Sequence, residues 1–149
     1  MIMKVHKAAA ALSLLLIASF WISSAAAELS GSVQAIIFAK WFVLAGMFAL
    51  VPAMAATGLT GRRLAGRRSN DVLSGKLTRI KAMAACGIAL LIPLAVYLWW
   101  KATSGEFDAW FYTAQLLEFA AGAVNLLLGA MNVSAGVSLR RKRLAPKAA

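Results

Sequence analysis

The stretch QLLEFAAGAVNLLLGAMN, residues 115–132, is apolar enough for lipid, yet it carries a carboxylate and two amides at intervals of seven residues. These three residues are Glu118, Asn125 and Asn132. Residues spaced by three or four lie on one face of an α-helix, and here that face also carries a glutamine and three glycines. We call this face the polar stripe, and it consists of Gln115, Glu118, Gly122, Asn125, Gly129, Asn132 and Gly136. The pattern predicts a membrane helix with one polar, glycine-rich side.

The polar stripe is typical of a seam at which membrane helices pack. Apolar contact gains little in lipid, so helices associate by close packing over small residues and by hydrogen bonds between helices. Gly122, Gly129 and Gly136 allow a second backbone to approach, and Asn125 and Asn132 can each contribute about 0.6–2 kcal/mol by hydrogen bonding across the seam. The second helix can belong to this chain or to another one.

Glu118 needs a different explanation, because an ionised carboxylate at the bilayer centre costs at least ~2.5–3.5 kcal/mol. Protonation, a positively charged partner or a hydrated cavity can each remove this cost. Lys40 is the only basic residue inside a predicted span, so it is the candidate partner. Glu118 is therefore either a structural group held by hydrogen bonds or a site of proton coupling or cation binding.

Two estimates of the depth of Lys40 and Glu118 in the membrane disagree. Counted from the starts of their predicted spans, at about 1.5 Å per residue, the two residues lie within about one helical turn. With Trp41 and Trp110 as interface markers, Lys40 lies near the surface and Glu118 lies about 12 Å deeper. We favour the aromatic markers and expect the Lys40 side chain to snorkel outward to the headgroups.

The composition of the whole chain indicates an integral membrane protein. Of its 149 residues, 62% are hydrophobic and 14% are charged, whereas about 25% are charged in ordinary soluble domains. A helix needs about 20 apolar residues to cross the hydrocarbon core. The apolar segments predict an all-α, transmembrane four-helix bundle in a single membrane domain covering residues 1–149, with spans at about 8–27, 35–57, 82–100 and 109–137.

The basic residues predict how the chain is threaded. If all four segments cross the membrane, most lysines and arginines fall on one side, in the N-terminus, a basic loop at 58–81 and a basic tail at 138–149. Loops rich in positive charge stay in the cytoplasm. Both termini and the basic loop are therefore predicted to lie on the cytoplasmic side of a bacterial inner membrane.

The first segment has an alternative interpretation as a cleaved signal peptide. The basic stretch MIMKVHK precedes apolar residues and then SSAAAE, in which Ala25 and Ala27 fit an A-x-A cleavage rule. Cleavage there makes Glu28 the new N-terminus and leaves a bundle of three helices, whose orientation does not change. We favour retention of the segment, because residues 8–27 are long for a signal peptide.

The arginines of the basic loop predict contacts with anionic lipid, at about 1 kcal/mol for each residue near the membrane. The repeat GRRLAGRR supplies four of them: Arg62, Arg63, Arg67 and Arg68. Nucleic acid is not an expected partner, because the basic residues cluster beside apolar segments, as membrane topology requires. The sequence has one cysteine and one histidine, so it offers no internal disulfide, and no metal or other cofactor is expected.

The aromatic residues add an independent sign of the membrane. All five tryptophans lie near segment ends that are assigned to the outer side: Trp21, Trp41, Trp99, Trp100 and Trp110. Tryptophan anchors helices at the level of the headgroups. The alternative is an aromatic-lined site for a lipid or quinone-like ligand near the outer leaflet.

The fourth segment resembles those of small bacterial multi-pass inner-membrane proteins of uncharacterised function. The resemblance covers part of that segment only and rests on Glu118, Ala121-Gly122, Asn125-Leu126 and Asn132. It implies the same type of membrane protein and no particular activity.

Two functions are compatible with these features. The favoured one is a structural or accessory subunit that joins a larger membrane complex through helix–helix contacts. The alternative is a small proton-coupled transporter, acting as a homo-oligomer, in which Glu118 is the coupling carboxylate. A membrane enzyme is a third possibility, but the sequence has no Ser-His-Asp, Cys-His or paired-carboxylate arrangement to serve as a catalytic site.

Overall fold

Helices make up every regular element of the described chain. The computed structural model describes residues 1–66 and 71–144. In chain order the elements are α1 (Ile2–Ser30), α2 (Val33–Ala65), α3 (Asp71–Cys86), a π-helix (Gly87–Leu91), α4 (Ile92–Thr103) and α5 (Ala109–Leu144). Four helical stretches are long and apolar enough to cross a membrane: Ile2–Ser30, Val33–Leu64, Ser74–Thr103 and Ala109–Ser138. The predicted all-α bundle of four helices is confirmed, and it is compatible with a multi-pass membrane protein.

The helices are longer than the predicted spans. Helix α2 has 33 residues and is about 50 Å long, whereas the hydrocarbon core is about 30 Å thick. The segment 58–81, treated as a loop in the sequence, is helical up to Ala65 and again from Asp71. It contains no proline, and its leucine, arginine and lysine residues are good helix formers, so the helices continue past their apolar parts.

Two tight turns join the helices at one end of the bundle, which we call the loop end. Gly31 follows α1 in the left-handed conformation, at φ 64°, and the Ser32 side chain accepts a hydrogen bond at the start of α2. Gly105 lies between α4 and α5 at φ 73°, and the Asp108 carboxylate accepts a hydrogen bond from the Phe111 N–H. Glycine allows the left-handed backbone and the polar side chains cap the next helix, so each pair of helices runs antiparallel.

The opposite end of the bundle collects positive charge, and we call it the basic end. There the Thr60 hydroxyl lies 3.0 Å from His6 Nδ1, which joins the start of α1 to the end of α2. Arg79 Nε donates to Asn132 Oδ1 at 2.9 Å, which joins α3 to α5. The up-and-down topology thus brings the basic residues of three helices to one end, as the predicted threading requires. Which side of a membrane this end faces stays a prediction.

The four long helices are arranged so that α1 and α4 both pack between α2 and α5. Within the described ranges the backbones of α2 and α5 do not approach each other, so these two helices lie diagonally across the bundle. The larger hydrophobic core lies towards the loop end and consists of Ala27, Ile36, Ala39, Leu98, Ala102, Phe111 and Ala114. Towards the basic end α2 contacts α3 only weakly. The bundle is therefore tight at the loop end and open between α2 and α3.

A π-helix interrupts the third long helix where it borders this opening. The Ile92 N–H donates to the carbonyl of Gly87, five residues earlier, instead of four. Pro93 follows directly, and it has no N–H for a helical hydrogen bond. A wider turn of this kind bends a helix locally and is often found at functional sites.

Candidate functional site

A buried ion pair joins the two diagonal helices. Lys40 Nζ lies 2.8 Å from Glu118 Oε2, and the two side chains are 1% and 11% exposed. The Gln115 amide donates to the same carboxylate oxygen at 3.1 Å. Hydrogen bonds that involve an ionised group are short and stronger than neutral ones. Protonation, a positively charged partner or a hydrated cavity can each offset the cost of an ionised Glu118 in the bilayer. The structure shows a positively charged partner.

The expectation that Lys40 snorkels outward is wrong. Consecutive residues of a helix point about 100° apart, so Trp41 says little about the direction of its neighbour. The Trp41 ring is 53% exposed, whereas Lys40 is buried against the interior of the bundle. Counting from the span starts, which placed Lys40 and Glu118 within one helical turn, was the better estimate of depth.

The polar stripe of α5 faces the interior of its own bundle. Its first five members are buried and its last two, Asn132 and Gly136, are half-buried. A methyl group at Gly122 would lie 3.0 Å from the Trp21 ring, and one at Gly129 would lie 2.7 Å from a methyl carbon of Leu14. The glycines therefore admit side chains of α1, so the second helix of the predicted seam belongs to this chain.

The two asparagines of the stripe have different surroundings. Asn132 accepts a hydrogen bond from Arg79 of α3, which is a bond between helices of the predicted kind. Asn125 is 2% exposed, and its side-chain oxygen has no hydrogen-bond partner among the described residues. A buried carbonyl without a partner is unfavourable unless a ligand or water supplies a donor. Asn125 is therefore available to a bound molecule.

A cavity of about 540 Å³ opens between α2 and α3 and reaches inward to α1 and α5. We call it the α2–α3 cavity. Its inner end is lined by polar and aromatic groups of α1 and α5, which include Trp21, Ser24, Glu118, Phe119 and Asn125. Its remaining wall is almost entirely apolar and includes the π-helix. Cavities of this size and character, with a few placed polar groups, are typical of small-molecule sites.

The Trp21 side chain forms part of the wall of this cavity. Its indole N–H donates to the Phe119 carbonyl at 3.1 Å, and its ring contacts the Phe119 ring edge-on at a centroid distance of 5.7 Å. Trp21 is thus held against the residue that follows Glu118, whereas the favoured interpretation from the sequence was a headgroup anchor. The aromatic-lined ligand site near the outer leaflet, which was the alternative, stays a prediction.

Glu28 belongs to the same site, which the sequence did not reveal. It seemed to be part of a short outer loop, but it lies in the last turn of α1. Its carboxylate interacts electrostatically with both Lys40 and Glu118, and its Oε1 atom is buried without a hydrogen-bond partner among the described residues. We call Glu28, Lys40 and Glu118 the charge cluster. The only sign in the sequence was an acidic residue three positions before a helix-ending glycine.

A second lysine with two acidic partners lies at the loop end. Lys101 Nζ lies 2.6 Å from Glu106 Oε2 and 2.7 Å from Asp108 Oδ2. The ammonium of Lys101 and the N–H of Phe111 hold the pKa of Asp108 below its usual range. We call Lys101, Glu106 and Asp108 the loop clamp. It was missed because Lys101 falls just beyond the predicted third span, although acidic residues five and seven positions later were a visible signal.

The predicted lipid-binding arginines are only partly described. Arg62 and Arg63 lie in the last turn of α2, and both are exposed. Arg62 also lines the α2–α3 cavity at the basic end, together with Lys81 of α3. Arg67 and Arg68 lie outside the described residues.

Comparisons with protein-family models, curated proteins and solved structures found no match for this chain. The resemblance of the fourth segment to small bacterial inner-membrane proteins therefore stays a prediction. The function has to be argued from the charge cluster and the cavity beside it.

Proposed function

We propose that this chain is a small multi-pass membrane transporter coupled to protons, with Glu118 as the coupling carboxylate. The observation that carries the proposal is that Glu118 is buried, paired with Lys40 and at the same time part of the wall of the α2–α3 cavity. Buried ionisable groups in membrane spans are costly and are typically functional. A carboxylate that meets both an internal charge and a cavity can respond to a bound molecule.

The charge cluster has one negative charge too many. When all three groups are ionised, Glu28 and Glu118 contribute two negative charges and Lys40 contributes one positive charge. An uncompensated charge is costly in surroundings of low polarity. A proton taken up by one of the two carboxylates removes this cost, so the cluster favours binding of one proton.

The positions of the two carboxylates provide a route for that proton. Glu28 is in the last turn of α1, on the loop-end side of Lys40, whereas Glu118 lines the cavity that leads to the basic end. The flexible lysine stem allows the Lys40 ammonium to bind either carboxylate. When Lys40 binds Glu28, Glu118 takes the proton; when Lys40 binds Glu118, Glu28 takes it. Alternation between these states moves a proton from one end of the bundle towards the other.

The accessory-subunit hypothesis depended on the polar stripe as a contact for another chain. In the structure the stripe packs on α1 and α3 of the same chain. A partner would therefore have to bind the apolar outer faces instead, and nothing in the described residues distinguishes those faces from ones that contact lipid. The features of α5 favour a role inside the bundle.

The test measures proton uptake by the purified protein in vesicles of phosphatidylglycerol and phosphatidylcholine that contain a pH-sensitive dye. A potassium diffusion potential, negative inside, drives uptake. We expect wild-type vesicles to acidify and Glu118→Gln vesicles to acidify at least about tenfold more slowly, since one missing charge interaction of about 1.4 kcal/mol changes a rate tenfold. Glu106→Gln is the matched control, because it removes a carboxylate outside the cavity, and it should acidify like the wild type.

Infrared difference spectra between neutral and acidic pH provide a readout that does not require transport. The stretching band of a protonated carboxyl group should appear in the wild type and disappear in Glu118→Gln or Glu28→Gln. If Glu118→Gln gives wild-type uptake and an unchanged carboxyl band, Glu118 does not exchange protons and the proposal is wrong.

A further inference from the structure

Two positive side chains at the outer end of the α2–α3 cavity have no acidic partner among the described side chains. Arg62 of α2 and Lys81 of α3 both line the cavity and both are exposed. Neither makes an ion pair with any of the described side chains, unlike Lys40 and Lys101. They lie at the basic end, where these helices extend beyond their most apolar parts. A negative group placed between them would meet two uncompensated charges.

The wall between these charges and the inner end has the character of a hydrocarbon site. It is formed by aliphatic side chains of α2 and α3, such as Leu50, Met54, Leu77 and Ile80. The lining of α2 extends from Val43 to Arg62, which corresponds to about 28 Å along the helix. One leaflet of the hydrocarbon core is about 15 Å thick. The cavity is therefore long enough for a complete acyl chain.

The cavity also has a side opening towards the lipid phase. Several lining residues are exposed on the outside of the bundle, among them Val51, Leu59 and Ile88. Helices α2 and α3 contact each other only weakly along this opening. A chain that already lies in the bilayer can thus enter sideways between the helices while its headgroup stays at the membrane surface.

We propose that the α2–α3 cavity binds one acyl chain of an anionic phospholipid, whose phosphate lies between Arg62 and Lys81. Charge complementarity selects the anionic headgroup, because juxtamembrane arginine and lysine attract it. The apolar wall selects a hydrocarbon chain and disfavours a polar ligand, which would leave that wall without complementary contacts. The Gly58 side of the wall is open, since a methyl group added there would contact nothing within 4 Å.

Lipid binding in the cavity does not depend on the proton step, because it uses Arg62 and Lys81 and not the charge cluster. The further inference that an anionic lipid is the transported molecule rests on the proposed transport function. The two can fail separately. Glu28→Gln, at a position that does not line the cavity, should slow proton uptake and keep lipid binding. Loss of Arg62 and Lys81 should lower lipid binding and leave proton uptake at the wild-type rate.

The experiment is native mass spectrometry of the full chain released from micelles with equal amounts of phosphatidylglycerol and phosphatidylcholine. We expect one retained phosphatidylglycerol per chain. The double variant Arg62→Gln, Lys81→Gln should lower the preference for phosphatidylglycerol by about thirtyfold, from two charges each worth about fivefold near an anionic surface. Arg63→Gln is the matched control, because Arg63 is exposed on the same turn but does not line the cavity.

A second pair of variants tests the chain rather than the headgroup. Gly58→Leu fills the cavity, whereas Ala49→Leu adds the same side chain to an exposed position of α2 outside it. Gly58→Leu should lose the retained lipid and Ala49→Leu should keep it. Glycerol phosphate, which has the headgroup without the chain, should not compete at the same concentration. Equal retention of both lipids, an unchanged double variant, or full competition by glycerol phosphate would each overturn the lipid site.

Discussion

Two of the lysines whose side chains are described are buried, and each has two acidic residues nearby. In the loop clamp, Lys101 binds both of its partners, Glu106 and Asp108, whose side chains are 49% and 46% exposed. In the charge cluster, Lys40 binds Glu118 alone among the described residues, and one buried oxygen of the Glu28 carboxylate has no hydrogen-bond partner among them. Each cluster consists of one lysine and two carboxylates, but only in the loop clamp do both carboxylates bind the lysine.

The difference follows from where the partners lie in the chain. Lys101 and its partners are separated by five and seven residues, so folding of one turn brings them together at a solvated end of the bundle. Lys40 and Glu118 are 78 residues apart, on helices that lie diagonally across the bundle. A local, solvated and fully paired cluster stabilises a turn. A long-range, buried and incompletely paired cluster can change its state when a proton or a ligand arrives.

The largest expected effect comes from removing one lysine at a time. Lys40→Met leaves the Glu118 carboxylate buried without its charge partner, which typically costs about 3–5 kcal/mol of unfolding free energy. Lys101→Met leaves two carboxylates that water can reach, so its effect should be much smaller. Titration with sodium dodecyl sulfate, followed by circular dichroism in mixed micelles, measures both.

The double variant Lys40→Met, Glu118→Met is the control for this comparison. Replacement of both members of a buried pair by apolar side chains is often neutral or stabilising. The double variant should therefore recover most of the stability that Lys40→Met loses. Equal losses in Lys40→Met and Lys101→Met would mean that the two clusters do not differ in the way the structure indicates.

The sequence was sufficient for the helices and for the face of α5 that carries the polar groups. Spacing by three and four residues determines which side chains share a face, so the inward position of Gln115, Glu118 and Asn125 could be expected. Spacing says nothing about which helix lies opposite. The pair with Lys40 depends on how α2 is rotated, and the exposed ring of Trp41 was a misleading guide to that rotation.

The charge cluster and the cavity needed the structure for a related reason. Glu28 seemed to be a loop residue, because the first apolar segment ends before it, but α1 continues to Ser30 and turns Glu28 towards Lys40. The cavity results from the weak contact between α2 and α3 near Gly58 and the π-helix. The separation of α2 from α3 and the wider turn of the π-helix produce no periodic pattern in the sequence.

A more specific test of the difference between the two clusters is removal of the surplus negative charge from the charge cluster. Glu28→Gln leaves the Lys40–Glu118 pair intact and makes the cluster neutral. The unfolding free energy should change by less than about 1 kcal/mol, as for most substitutions that break no paired contact. Proton uptake into vesicles should fall to the level of Glu118→Gln, because the neutral cluster no longer favours a proton.

Glu106→Gln is again the matched control, since it removes one carboxylate from the loop clamp, where both carboxylates bind the lysine and are exposed to water. It should leave proton uptake unchanged. Wild-type uptake by Glu28→Gln would remove Glu28 from the proton route, and the excess-charge argument would then not apply to Glu118.

The smallest expected effect concerns the pH dependence of the loop clamp. Lys101 and the Phe111 N–H lower the pKa of Asp108, so the folded chain favours the ionised form. The stabilisation is complete above the usual aspartate pKa and is lost as the pH falls through the lowered pKa. Asp108→Asn keeps an N-cap side chain for Phe111 and removes only the charge. It should therefore weaken the fold slightly at neutral pH, by far less than Lys40→Met, and make it less sensitive to acid. Detergent titrations of both proteins at neutral and acidic pH measure this difference, and parallel pH profiles would show that Lys101 does not hold Asp108 in solution.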